Sequence, residues 1–297
     1  MKKMTKFFAL ALLAGAMVSC STEDTAPSVQ NDKVAVQFTG GISVNTRAAG
    51  LAWAEGDMIG IFMTGTKQPL SADAIQEGVD NICYQTSGSI GFSPVSGGKT
   101  VFFPIDGDVD FYSYYPQTTV NDYKVALDVT DQGKQEAIDF MYAKTEGCNK
   151  ATPQVFLKFY HKLSNLVLDV QPGNGLTQED LKKMTVTVKG QNTKATFNLA
   201  DGTISGEGNP TDIKMKTTQA GKLYEAILLP TEEASRVIEF DLNNGYDAPF
   251  VWTMPVKLEG GKRYHYTVVK LSRSAVEISG TIEPWIKAGD DNEHIAQ

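Results

Sequence analysis

The sequence predicts an all-β protein made of β-sandwich domains, and two observations support this fold class. Nearly every apolar run is short enough for a strand and is bounded by Gly, Asp, Asn or Pro, which favour turns. The chain has 297 residues, a length typical of two domains that each bury a core. We therefore expect two β-sandwiches, residues 33–150 and 151–297, that meet in the polar segment 147–154.

The first predicted strand, residues 33–44, alternates between apolar and mostly polar side chains. Its apolar row occupies the even positions, with Gly40 as the small member, and consists of Val34, Val36, Phe38, Ile42 and Val44. A period of two residues is typical of a strand that places one face in a core.

The next strands are predicted from apolar runs and turn signals. The run 58–63 follows a turn at Gly56-Asp57, which indicates a buried strand. Residues 100–105 and 109–114 flank Asp106-Gly107, a dipeptide that favours a tight hairpin.

The second half reads as further short strands, with a turn at Asp201-Gly202 and a hairpin at Gly260-Gly261. The predicted strands are 155–159, 163–170, 184–188, 195–199, 203–204, 223–229, 237–242, 250–258 and 264–271. The pattern predicts one short helix at 178–184, with Thr177 as its N-cap and Asp180 completing a capping-box pattern.

The sequence predicts an export signal at the N-terminus. Three lysines precede an apolar stretch, residues 7–17, which is too short to span a bilayer and is typical of a cleaved signal peptide. The junction Met17-Val18-Ser19-Cys20 resembles the lipobox of bacterial lipoproteins, in which the Cys is acylated and becomes the new N-terminus. We expect residues 1–19 to be the signal peptide and 20–32 a flexible tether behind a lipidated Cys20. The alternative is an ordinary secretory signal that contains a Cys.

The acidic segment Ser21-Thr22-Glu23-Asp24 resembles the surface-export signal of Bacteroidetes lipoproteins. The acyl chains of a lipidated Cys20 would bind the protein stably to a membrane. We therefore expect the chain at the cell surface, anchored in the outer membrane.

Composition and motifs argue against several classes of function. The net charge of −8 disfavours nucleic acid as a partner. The three histidines, His161, His265 and His294, lie in no metal-ligand or catalytic motif, so we expect no enzymatic activity, no metal and no cofactor. Cys83 and Cys148 could form one disulfide or remain two buried thiols, and we slightly favour the thiols.

A small, polar loop, residues 45–50, follows the first strand and contains Arg47. Proteases cut most readily in exposed loops of this kind. Cleavage there would free a whole core strand, whereas the alternative is an ordinary connection between two strands.

Several motifs in order resemble the fimbrillin family, the pilus and pilus-anchor lipoproteins of Bacteroidales type V pili. The resemblance covers nearly the whole mature chain. The motifs are Thr46-Arg47 with Trp53, Gly56-Asp57 and 59–62; Phe103-Pro104 with Asp106-Gly107; 109–116; 139–143; Phe159 to Ser164; Gly261 with 264–266; and 276–280 with Trp285.

The resemblance implies two transthyretin-like β-sandwiches with Greek-key-type connections, and assembly with other pilus subunits by strand exchange. It implies cleavage after Arg47, with Ala48 as the new N-terminus, and location in a surface fimbrium. The resemblance is also compatible with binding to a ligand on a host or bacterial surface. The tail after Trp285 is acidic and poor in apolar residues, so a tip, anchor or accessory role is favoured over a stalk role.

The main alternative is a glycan-binding surface lipoprotein of a polysaccharide-uptake system. The 11 Tyr and 3 Trp could build a stacking platform for sugars, although most occupy positions typical of core packing.

Overall fold

The protein is almost entirely β-structure, which confirms the all-β prediction. A computed structural model describes residues 33–42, 53–272 and 275–285. The first eight strands are β1 (Gln37–Ile42), β2 (Glu55–Gly65), β3 (Ile82–Ser87), β4 (Gly91–Pro94), β5 (Val109–Tyr115), β6 (Lys124–Asp128), β7 (Met141–Cys148) and β8 (Gln154–His161). The others are β9 (Ser164–Pro172), β10 (Thr185–Asn198), β11 (Thr203–Lys214), β12 (Lys216–Gln219), β13 (Leu223–Leu228), β14 (Arg236–Asp241), β15 (Phe250–Met254), β16 (Lys262–Ser272) and β17 (Ala275–Pro284).

Helical structure in the described residues is confined to short segments. These are a 3₁₀ turn at Ala72–Ala74, α1 (Gln135–Ile138) and α2 (Gln178–Leu181). Over the ranges that the structure covers, we find no helix of the length and apolarity that a membrane crossing requires.

Seven strands, all within residues 37–161, close into a barrel in the order β1-β4-β3-β2-β5-β7-β8. β1 closes the barrel, because it is antiparallel to β4 on one side and parallel to β8 on the other. Inward-facing apolar side chains of these strands form one hydrophobic core, which includes Phe38, Ile61, Tyr84, Phe111 and Phe159.

The remaining strands form two five-stranded sheets. One has the order β11-β10-β14-β15, with β6 also paired to β10, and the other has the order β12-β13-β9-β16-β17. A second core contains side chains from both sheets, such as Val188, Leu168, Tyr224 and Phe240. The outward faces of some barrel strands join this core, since the ring centroids of Tyr142 on β7 and Phe197 on β10 are 5.2 Å apart.

Strand pairing crosses the predicted boundary near residue 150. β8 follows that boundary yet pairs with β1 and β7, and β6 precedes it yet pairs with β10. Contacts group the described residues, all of which follow Asp32, as one compact unit. The division into domains 33–150 and 151–297 stays a prediction.

The predicted hairpin of residues 100–105 and 109–114 is wrong. Val109–Tyr115 is a strand, but it pairs with β2 and β7. The 101–103 segment instead binds the chain just before β1, with Val36 N–H donating to Val101 O (3.0 Å) and Phe103 N–H donating to Val34 O (2.9 Å).

Other local predictions need correction as well. The strands predicted at 184–188 and 195–199 are one long strand, β10, whose register shifts between Val188 and Gln191. Gly260-Gly261 turns between different sheets and makes no hairpin, because β15 pairs with β14 whereas β16 pairs with β9 and β17.

The helix α2 starts as predicted and ends sooner, at Leu181. Its capping box is present, since the Asp180 carboxylate accepts hydrogen bonds from the backbone N–H and the hydroxyl of Thr177, both at 2.7 Å. Cys83 and Cys148 are free thiols, as favoured from the sequence.

Candidate functional site: the first strand of the barrel

β1 and the residues just before it place their even-numbered side chains in the barrel core. Val36, Phe38 and Ile42 are buried at 5%, 2% and 6% exposure, and Val34 packs against the same core half-buried. The neighbouring Gln37 is exposed. This is the alternation expected of a strand with one face in a core.

Two unequal ladders hold β1 in place. The parallel ladder to β8 runs from the pair Gln37–Gln154 to the pair Ile42–Phe159. The antiparallel ladder to β4 comprises only the pairs Phe38–Phe92 and Thr39–Gly91 within the described residues. Backbone bonds to the 101–103 segment extend this side of the strand toward the N-terminus.

Phe38 lies at the centre of an aromatic cluster inside the barrel. Its ring meets Tyr84 and Phe111 edge to face, with centroids 5.2 and 5.1 Å apart. The Tyr84 hydroxyl accepts a 2.8 Å hydrogen bond from Val101 N–H, and burial raises the pKa of this tyrosine. The rings that receive Phe38 are therefore fixed from strands other than β1.

Gly40 is the small member of the row, and the structure shows why. A Cβ atom there would lie 2.9 Å from Phe92 Cε2 and 3.3 Å from Phe159 Cε2. The Gly40 carbonyl also accepts a 2.8 Å hydrogen bond from Trp53 Nε1–H. Trp53 is 3% exposed, and its ring packs edge to face against the same two rings, Phe92 and Phe159.

Several predicted site residues cannot be placed. Cys20, Arg47, Ala48 and Val44 lie outside the described residues. The roles assigned to them, and the exchange of the Val34 to Val44 row, remain predictions.

Sequence reasoning missed a second cluster at the end of β8. His161 Nδ1 lies 2.7 Å from Asp139 Oδ1, and the His161 ring stacks on Trp285 with centroids 4.2 Å apart. Residues 139–143, Phe159 to Ser164 and Trp285 were noted as separate motifs, and only the fold shows that they meet. Within the described ranges, no three or more His, Cys, Asp or Glu side chains are grouped to hold a metal ion.

Comparison with known proteins places the chain among fimbrial and adhesion proteins. Residues 46–285 match the fimbrillin-like family. A relative from Bacteroides uniformis, named "Putative fimbrium subunit Fim1C", is 33% identical over 301 residues, covering 95% of this chain and 96% of the relative.

Two crystal structures are also similar to this chain. One is described as a putative cell adhesion protein from Bacteroides uniformis, with 31% identity and a TM-score of 0.73, covering 86% of this chain and 99% of that one. The other, a putative cell adhesion protein from Bacteroides ovatus, has 26% identity and a TM-score of 0.69, covering 86% and 98%. These descriptions name fimbrial and adhesion proteins rather than enzymes, in agreement with the predicted lack of catalytic activity.

Proposed function

The chain belongs to the fimbrillin-like family, and we propose on that basis that it is a structural subunit of a fimbrium. It is exported as a lipoprotein precursor to the outer membrane surface. Proteolysis after Arg47 removes its first strand, and a strand from another subunit takes the place that β1 leaves. The observation that carries this proposal is the position of β1, which alone closes the barrel between β4 and β8.

Removing β1 leaves a template for another strand. The backbone groups of β4 and β8 that face β1 lose their partners, and unpaired strand edges readily accept a new strand. At the same time Tyr84 and Phe111 lose the ring of Phe38 that packs against them. The opened barrel therefore offers backbone hydrogen bonds and an apolar groove together.

Burial of the apolar side chains at the first strand determines how much free energy strand exchange must recover. Burial of Val36, Phe38 and Ile42 stabilises the strand by about 1.5–3 kcal/mol each, or about 5–9 kcal/mol together. A donor strand with a similar alternating row would recover this free energy. A strand without such a row would bind far more weakly, so the groove selects donors by their apolar pattern.

The strand-exchange step can be tested with a synthetic peptide. Purified precursor is cut with trypsin, the new N-terminus is sequenced, and a peptide of residues 33–44 is added to the cut protein. We expect Ala48 as the N-terminus and a higher melting temperature with the peptide, because the peptide binds the folded state. Unfolding of the cut protein, or no effect of the peptide, contradicts the proposal.

Matched peptides show whether the core row is responsible. A Phe38→Ala peptide should bind about 100-fold more weakly or worse, since truncating a buried Phe costs about 3–5 kcal/mol. A Gln37→Ala peptide should bind like the original, because Gln37 is exposed. Equal loss for both peptides would show that binding does not use the barrel groove.

Variants of Arg47 test maturation in cells. Arg47→Ala should fold normally but fail to enter surface fibres, and electron microscopy of the cells measures this outcome. Arg47→Lys is the matched control, because trypsin still cuts after Lys whereas an Arg-specific protease does not. Normal fibres from Arg47→Ala would refute maturation by this cleavage.

The lipid anchor has a separate test. Cys20→Ala should lose labelling by a radioactive fatty acid and should leave the outer membrane fraction. Cys83→Ala is the control, since this half-buried thiol of the barrel lies outside the signal-peptide junction and should take up no lipid. Unchanged labelling in Cys20→Ala would exclude this cysteine as the lipidation site.

A further inference from the structure

A cleft of about 440 Å³ opens where β8 ends and β16 begins. Its lining includes Tyr160, His161, Lys162, Lys262 and Trp285, and no residue of β1. Its volume lies in the range of small-molecule sites. The cleft is thus separate from the groove that strand exchange would open.

Lys162 brings a poorly compensated positive charge to this cleft. Its ammonium lies 5.3 Å from the ring centroid of Tyr142 and 5.6 Å from that of Phe197. It forms no salt bridge with any carboxylate of the described chain. Burial lowers the pKa of this lysine, as expected for a desolvated cation without a counter-ion.

His161 supplies a second polar atom in the same lining. The residue is 4% exposed, and its orientation is fixed by Asp139 at Nδ1 and by the stacked ring of Trp285. Its Nε2 is buried and has no hydrogen-bond partner in the part of the chain that the structure describes. A buried polar atom of this kind is costly unless a ligand or water satisfies it.

Gly202 leaves the Lys162 ammonium uncovered. Its φ of +75° places it in the left-handed region, and a Cβ atom would lie 3.7 Å from Lys162 Nζ. A side chain at this turn would therefore cover the ammonium from the side of the cleft. The glycine keeps this approach open.

The charges around the cleft favour an anion. Two carboxylates on adjoining elements already have partners, since Asp139 binds His161 and Asp201 binds Thr203. A neighbouring groove of about 860 Å³ is acidic instead, and its lining includes Glu207, Glu232, Glu233 and Glu259. An anion would thus be attracted to the lysine-lined cleft and repelled by the groove beside it.

We propose that this cleft binds an acidic sugar, with the sugar carboxylate contacting Lys162 and a sugar hydroxyl donating a hydrogen bond to His161 Nε2. The ring of Tyr160, 40% exposed, offers an aromatic face at the same site for the apolar face of the sugar. The size of the cleft exceeds what a single carboxylate side chain of a polypeptide would fill. The site is independent of the proposed strand exchange.

The proposal is tested by calorimetry and thermal melting of the full chain with glucuronate. Glucose serves as the neutral control of similar size. N-acetylaspartate serves as a second control, because it represents the carboxylate side chain of a polypeptide. We expect glucuronate to bind and to raise the melting temperature, with weaker binding at high salt. No binding of glucuronate, equal binding of glucose, or tighter binding of N-acetylaspartate overturns the proposal.

Two lysine variants locate the site. Lys162→Met keeps the alkyl packing and removes the charge, and we expect affinity for glucuronate to fall about 10-fold or more. Lys214→Met is the control, because Lys214 is exposed and lies ten residues along β11 from the cleft residue Ile204. If Lys162→Met fails to fold, Lys262→Met takes its place, and unchanged affinity in the variant overturns the proposal.

The chain beyond Trp285 carries its own carboxylates and is tested as a competitor. Deletion of residues 287–297 should leave the affinity for glucuronate unchanged. Binding that appears only after the deletion would show that the tail itself occupies the cleft, which also overturns the proposal.

Discussion

Trp53 donates a 2.8 Å hydrogen bond from its indole N–H to the backbone carbonyl of Gly40. The two residues lie on opposite sides of Arg47, so this bond spans the proposed cleavage site. Trp53 is buried among the rings of Phe92 and Phe159. If β1 leaves as proposed, the Trp53 donor loses its acceptor, and a new strand that presents a carbonyl at this position would restore the bond.

We expect Trp53→Phe to lower the free energy of unfolding by about 1–3 kcal/mol, because the Gly40 carbonyl loses a buried donor. The substitution keeps an aromatic ring in the cluster. Urea denaturation measures the effect. Trp252→Phe is the control, since half-buried Trp252 has a ring contact with Tyr266, and its loss should be about 0.5–1.5 kcal/mol. Equal losses in the two variants would argue that the hydrogen bond contributes nothing.

Gly40→Ala should destabilise the barrel by about 1–3 kcal/mol, because the added methyl group approaches the buried ring of Phe92 within 2.9 Å. Gly41→Ala is the matched control on the other face of β1. A Cβ there meets only the ring of Phe156, which is 52% exposed and can move aside. Chemical denaturation compares the two, and a larger loss for Gly41→Ala would contradict the packing described here.

Asp139→Ala should lower the free energy of unfolding by about 1–3 kcal/mol, since it leaves the buried Nδ1 of His161 without an acceptor. Glu146→Ala is the control, because it removes a salt bridge of the same length on the surface. The Glu146 carboxylate lies 2.7 Å from Lys144 Nζ, and its side chain is 62% exposed. The control should lose less than about 1 kcal/mol. Thermal or urea unfolding of both variants measures the two losses. A similar loss of unfolding free energy in each would show that the buried pair is no more stabilising than the exposed one.

Cys148 should react slowly with alkylating reagents in the folded protein. Burial, with a smaller contribution from the nearby Asp110 and Asp108 carboxylates, raises the pKa of its thiol from 9.0 to about 11. A raised pKa keeps the thiol protonated, so the thiolate fraction at pH 8 is about 100-fold lower than for an ordinary thiol. Reactivity should rise until the pH passes about 11.

Mass spectrometry of iodoacetamide-labelled Cys20→Ser protein tests this expectation. Urea-unfolded protein is the control, in which Cys148 should label at the rate of an exposed thiol. Rapid labelling of folded Cys148 at pH 8 would show that the thiol is not shielded as the structure indicates.

The local sequence pattern predicted which residues form strands better than it predicted which strands pair with each other. The alternation of residues 33–44 correctly places Val36, Phe38 and Ile42 in a core. The Asp106-Gly107 signal gave a wrong hairpin, because turn chemistry describes the bend and not which strand lies beside it. Here the backbone of 101–103 pairs with residues near Val34, a contact between segments far apart in the chain.

The first strand and the cluster around His161 also differ in how well the sequence predicts them. The burial of the first strand could be anticipated because its whole apolar row lies in one short segment. The pair formed by Asp139 and His161, and the stacking of Trp285 on that histidine, join three distant segments. Each residue alone is typical of a structural position, so only the fold reveals the cluster.

The parallel pairing of β1 with β8 also has a consequence for folding kinetics. Gln37 meets Gln154 across a sequence separation of 117 residues, whereas β3 meets β4 through the pair Thr86–Phe92. Closing the longer loop costs about 2–3 kcal/mol more chain entropy, so this ladder should form late. The other barrel ladders must then form without β1, and a chain that has lost β1 resembles a state through which the protein passes whenever it folds.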